Sequence, residues 1–256
     1  MKRLPIALAA LGLLAPGATV ASAALAGPAS AQSCMPVTTS HGPLTAAVVD
    51  PTSAVTGTVT PTGCDIGVYF GPGTSGTVED ATISGFVQYG VYNDGGHVTV
   101  TGSSISDIGD TPFDGVQYGL GVYFVNPNLV NSSLTSSPAT GSISGNTVSQ
   151  YQKGGITVNG AGSSAAVSDN AVTGLGPVPF IAQNGIQFGF GASVRLSSLS
   201  GNVVRGNIYT EGSAPPAYVS AGFLFYDTSN VTQQSTGQVA SSNHVSGNQC
   251  NICVAG

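Results

Sequence analysis

Short runs in which apolar and polar residues alternate recur along this chain, and a glycine opens each of them. They read "GVYF" at Gly67, "GVYN" at Gly90, "GVYF" at Gly121, "GITV" at Gly155, "GIQF" at Gly185 and "GFLF" at Gly222. Successive glycines are 23, 31, 34, 30 and 37 residues apart, so the repeat is irregular. Behind each run comes a second alternating stretch, such as "VTVTGSSISDI", "GSISGNTVSQY" or "VRLSSLSGNVVRG". Alternation of period two puts successive side chains on opposite faces of a strand. No apolar stripe at helical spacing survives for three turns, which nearly excludes helices. Gly and Asn between the runs supply turns, because both tolerate left-handed backbone angles.

A unit of two or three such strands cannot bury its own apolar side chains. Stacked one on another, the units fill a continuous interior, with equivalent strands about 4.8 Å apart. Four second stretches carry Asn two places before an apolar residue, at Asn146, Asn170, Asn202 and Asn243. These residues resemble the right-handed parallel β-helix repeat, the pectate-lyase-like fold, as found in secreted bacterial proteins, and the likeness covers roughly residues 60–250. The resemblance implies an all-β, right-handed parallel β-helix (a solenoid) of about six to seven irregular coils. It implies no particular activity, since that fold hosts lyases, hydrolases, epimerases and adhesins. An antiparallel sandwich, the rival, would show Asn-Gly or Asp-Gly turns between paired strands. Residues 63–256 form the predicted stack, and residues 32–62, with Pro36, Pro43, Pro51 and Pro61, its N-terminal cap. "QCNICVAG" ends the chain as a last partial coil.

Ahead of the cap, "MKRLPIALAALGLLAPGATVASAALAGPASA" has a Lys2/Arg3 start, an Ala/Leu-rich stretch and an A-x-A site at Ala29–Ala31. Residues 1–31 thus read as a secretory signal peptide, and the product is expected outside the cell. No later apolar run is long enough for a membrane-spanning helix, so membrane insertion is not expected. Without the signal, three basic side chains face eleven acidic ones, a net charge of −8. That balance excludes nucleic acid and anionic membrane surfaces as partners. The remaining length suits one domain, expected to be a monomer. Four cysteines fit an oxidising compartment and allow three pairings, of which Cys34–Cys64 and Cys250–Cys253 are favoured.

Candidate chemistry follows from the columns of the repeat. With the repeat glycine as zero, positions +1 and +3 are apolar and point inward, so positions −2 and +2 are expected to face solvent. Position +2 reads Tyr69, Tyr92, Tyr123, Thr157, Gln187 and Leu224, and position −2 includes Asp65, Gln88, Lys153 and Gln183. Tyrosine rings and amides suit a sugar polymer, and Asn184 extends the row. The expected function is therefore non-catalytic binding of carbohydrate or a surface polysaccharide along the outer strand face. Cross-strand packing of like residues explains the same row without a ligand. A polysaccharide lyase or glycoside hydrolase is the enzymatic alternative, with Lys153 its catalytic candidate, and a structural or adhesive role is the third. No other pair or triad of catalytic type is spaced recognisably. No cofactor is expected beyond calcium, for which Asp107, Asp110 and Asp114 are candidate ligands in "SDIGDTPFDG".

Overall fold

The computed structural model describes residues 33–60, 63–210, 218–228 and 230–256. The expected signal segment lies outside the described residues. The fold is all-β, built on two sheets whose strands are overwhelmingly parallel. The nine-stranded sheet runs, in order, through Met35–Thr39, Gly42–Val49, Ile66–Phe70, Tyr89–Asn93, Leu120–Val125, Gly154–Asn159, Asn184–Gly189, Ala221–Tyr226 and Cys250–Ala255. Only its first pair is antiparallel. All six repeat runs fall in this sheet, in chain order.

The eleven-stranded sheet is centred on the long strand Ser75–Phe86. Its first half pairs with His97–Thr101, and then come Thr140–Ser144, Ser164–Ser168 and Leu199–Ser200. Its second half pairs with Ser104–Ile108, followed by Thr147–Ser149, Ala171–Val178, Val203–Tyr209 and His244–Val245. Val55–Val59 also pairs with this strand. The N-terminal segment thus contributes strands to both sheets.

The interior lies between the sheets. Positions +1 and +3 of the repeat, including Val122, Phe124, Ile156, Val158, Ile186 and Phe188, are buried against Val98, Val100, Ile143, Val148, Val167 and Val172 from the larger sheet. Fully burying one such side chain contributes about 1.5–3 kcal/mol. The repeat glycine is needed for close approach: a Cβ on Gly121 would lie 2.6 Å from Val148 Cγ1 and 2.7 Å from the Gly155 carbonyl oxygen. Strand register is kept across this glycine, since Ile66 pairs with Tyr89 and Val68 with Val91.

The recurrent asparagines are interior acceptors and donors, not turn residues. Asn146 Nδ2 donates to Asn170 Oδ1, Asn170 Nδ2 to Asn202 Oδ1 and Asn202 Nδ2 to Asn243 Oδ1, at 2.8–2.9 Å. Each of these Oδ1 atoms also accepts the backbone N–H of the preceding asparagine. Left-handed backbone falls instead on the residue before three of the four ladder positions, at Gly145 (φ 66°), Asp169 (φ 58°) and Gly201 (φ 68°). A second stack joins Tyr151 Oη to Asn207 Oδ1 and Asn207 Nδ2 to Asn248 Oδ1. Cys34–Cys64 and Cys250–Cys253 are both disulfide-bonded. Among the described residues, no helix is long and apolar enough to cross a membrane.

Candidate functional site

The tyrosine row forms as the columns require, but it is covered. Tyr69, Tyr92 and Tyr123 are in-register neighbours on adjacent strands, followed by Thr157, Gln187 and Leu224. Their relative exposures are only 4%, 0% and 5%, which overturns the expectation that the tyrosines at position +2 face solvent, while Gln187 and Leu224 further along are half-buried. The cause is a second apolar cluster on the outer face of the smaller sheet. There Val37, Leu44 and Ala46, from the antiparallel pair Met35–Thr39 and Gly42–Val49, pack on Ile66, Tyr69, Tyr89, Tyr92 and Tyr123. The turn of that hairpin sets His41 over Tyr89, Tyr92 and Tyr123, with ring centroids 5.8–6.0 Å apart. Ser40 Oγ donates to Asp94 Oδ1 and meets Tyr92 Oη, both at 2.7 Å. Burial, reinforced by the Asp94 carboxylate, raises the phenols of Tyr69 and Tyr92 above their usual range, so both stay protonated. Because the glycine interrupts alternation, Ile66, Tyr89 and Leu120 at position −1 share this face with position +2.

The amides of the expected track are structural as well. Gln183 is fully buried: its Nε2 donates to the carbonyls of Tyr151 (2.6 Å) and Gln152 (3.2 Å), and its Oε1 accepts from Leu175 N. Gln88 Nε2 reaches Asp65 Oδ1 at 3.4 Å. Asn184 Nδ2 donates to Gln187 Oε1, and Gln187 Nε2 donates to Asn159 Oδ1. Asn184 Oδ1 is buried and has no hydrogen-bond partner among the described residues.

The acidic loop folds onto a glutamine. Gln152 Oε1 accepts from the backbones of Asp110 and Asp114, and its Nε2 donates to the carboxylates of both. Tyr118 Oη donates to Asp110 Oδ1 at 2.9 Å. Asp107 is an exposed corner residue at φ 56°. Among the described residues, no three His, Cys, Asp or Glu side chains come together as a metal site, so the calcium ligands expected from spacing alone are not assembled.

Lys153 is placed differently from the rest. It stands in a cleft of about 360 Å³ with Gln117, Phe180, Ile181, Ala182, Tyr209 and Tyr218. Its Nζ donates to the Ala182 carbonyl at 2.8 Å. Burial lowers its pKa from the ordinary lysine value, because desolvation penalises the ammonium. Among the described residues, no carboxylate lines the cleft. Tyr218, at 68% exposure, presents a large apolar face to solvent at the rim. The repeat-glycine columns miss these aromatics because Phe180 and Tyr218 sit in connections between strands and Tyr209 ends the strand Val203–Tyr209 of the larger sheet. The available signal was spacing: Phe180 lies in the 30-residue interval after Gly155, and Tyr209 and Tyr218 in the 37-residue interval after Gly185.

Compared with known protein families, curated proteins and solved structures, the chain matches none.

Proposed function

We propose that the chain is an exported right-handed parallel β-helix that binds carbohydrate, without catalysis, in the cleft around Lys153. Eight consecutive parallel strands of the smaller sheet, in register from Gly42–Val49 to Cys250–Ala255, support one coil per interval, about seven in all. The right-handed sense follows from the near-universal hand of parallel crossovers. The signal-like start and the two disulfides support export.

One observation carries the binding reading: Phe180, Tyr209 and Tyr218 flank an amine and the amide of Gln117 in one open cleft. Aromatic faces pack on the apolar faces of sugar rings, while the amine and amide meet hydroxyls. The tyrosine track is replaced by this cleft because its rings are spent on the hairpin. A glycan array followed by calorimetry tests the reading. Binding that falls at least ten-fold in Tyr218→Ala and Lys153→Gln, with no sugar product released, supports it. Undiminished binding in both variants rejects the cleft.

The lyase alternative rests on the same amine, whose lowered pKa suits a base. Unsaturated products lost in Lys153→Ala would favour it over binding alone.

A further inference from the structure

Lys153 is the only lysine beyond residue 31, and the fold spends it on a cleft wall. Its amine is held by a neutral group, the Ala182 carbonyl, at 2.8 Å. A carbonyl accepts one N–H without stabilising the ammonium as a carboxylate would. A neutral amine donating one N–H there keeps a second N–H and a lone pair for a ligand. Among the described residues, the other polar side chains in the lining are those of Gln117, Tyr209 and Tyr218, none of them a carboxylate. The whole chain carries a net charge of −6, a field that disfavours anions at this wall. An uncharged electrophile is the better match.

We infer that Lys153 captures aldehydes covalently, its amine adding to the carbonyl carbon of a ligand held between Phe180, Tyr209 and Tyr218. The nitrogen lone pair forms the C–N bond, two amine protons and the carbonyl oxygen leave as water, and an imine remains. No oxidant or reductant is required. The ligand class is an aldehyde on a flat, partly apolar body, and the open-chain end of a reducing sugar belongs to it. The inference rests on the reading of this cleft as the ligand site and narrows what that site takes. Desolvation of the amine supports it, since only the unprotonated form adds to carbonyls.

The test uses the chain without residues 1–31, 4-hydroxybenzaldehyde as probe and sodium cyanoborohydride to reduce the imine at neutral pH. Peptide mass mapping separates Lys153 from the chain's α-amine. Labelling of Lys153 at least ten-fold faster than Nα-acetyl-lysine amide, saturating with probe and slowed in Phe180→Ala, is expected. The pH profile of labelling has its midpoint below that of the free amino acid derivative. A rate and profile equal to those of the derivative, or to those of the guanidinium-unfolded chain, overturn the inference. Lys153→Arg checks the assignment by removing the adduct. Glycan binding without trapping rejects aldehyde capture and leaves carbohydrate binding standing; trapping without glycan binding does the reverse.

Discussion

Asn170 Nδ2 lies 2.9 Å from Asn202 Oδ1, and the same oxygen accepts the Asn170 backbone N–H at 3.1 Å. One buried amide therefore satisfies two donors of the preceding coil while its own Nδ2 passes on to Asn243 Oδ1. Substituting Asn202→Ala strands both donors in the interior, at about 1–3 kcal/mol each. Urea unfolding should show Asn202→Ala less stable by about 3 kcal/mol. A loss under half of that would show that the ladder adds little.

Glycines give a matched pair. Gly121→Ala drives a Cβ into Val148 and the Gly155 carbonyl and should cost about 2 kcal/mol. Gly237, in the short helix Thr236–Ser242, has nothing within 4 Å of a new Cβ. Gly237→Ala should instead stabilise by up to about 1 kcal/mol, since alanine is the better helix former. Equal thermal shifts in both variants would mean that the repeat glycine is not required by packing.

His41 gives the hairpin a pH dependence of known sign. Partial burial beside the three tyrosines lowers its pKa from 6.5, more than the Asp94 carboxylate raises it, while one side of the residue stays exposed. Below pH 6.5 the unfolded chain then binds more protons than the folded chain, so this group's contribution to stability falls as the solution is acidified. Unfolding followed from pH 7 down to about pH 5 should show a slope that flattens in His41→Phe. An unchanged slope would contradict the assignment.

Tyr92 tests whether the outer face is structural. Tyr92→Phe removes the hydroxyl contact with Ser40 and should cost about 1 kcal/mol, leaving glycan affinity unchanged. A loss of affinity with intact stability would restore the tyrosine face as a binding track.

The columns were legible because parallel stacking repeats one residue's environment directly above it. Val122 over Val91 and Tyr123 over Tyr92 follow from alternation alone. The pairing of Cys34 with Cys64 and of Cys250 with Cys253 was readable too. Exposure was not legible, because the cover on Tyr92 comes from Ser40 and His41, about fifty residues away in sequence. Nor was the face of Tyr89, since the alternation slips at Gly90. Lys153 stands out in the sequence by its rarity, but its cleft needs Phe180, Tyr209 and Tyr218, which lie outside the repeat-glycine columns.

The tyrosine face is closed, and Tyr218, the most exposed large aromatic among the described residues, lies at the Lys153 cleft. Nitration of the native chain with tetranitromethane, mapped by peptide mass, measures this directly. The account predicts rapid modification of Tyr218 and protection of Tyr69, Tyr92 and Tyr123 until the chain unfolds. Modification of Tyr92 and Tyr123 in the folded protein at the rate of Tyr218 would contradict it.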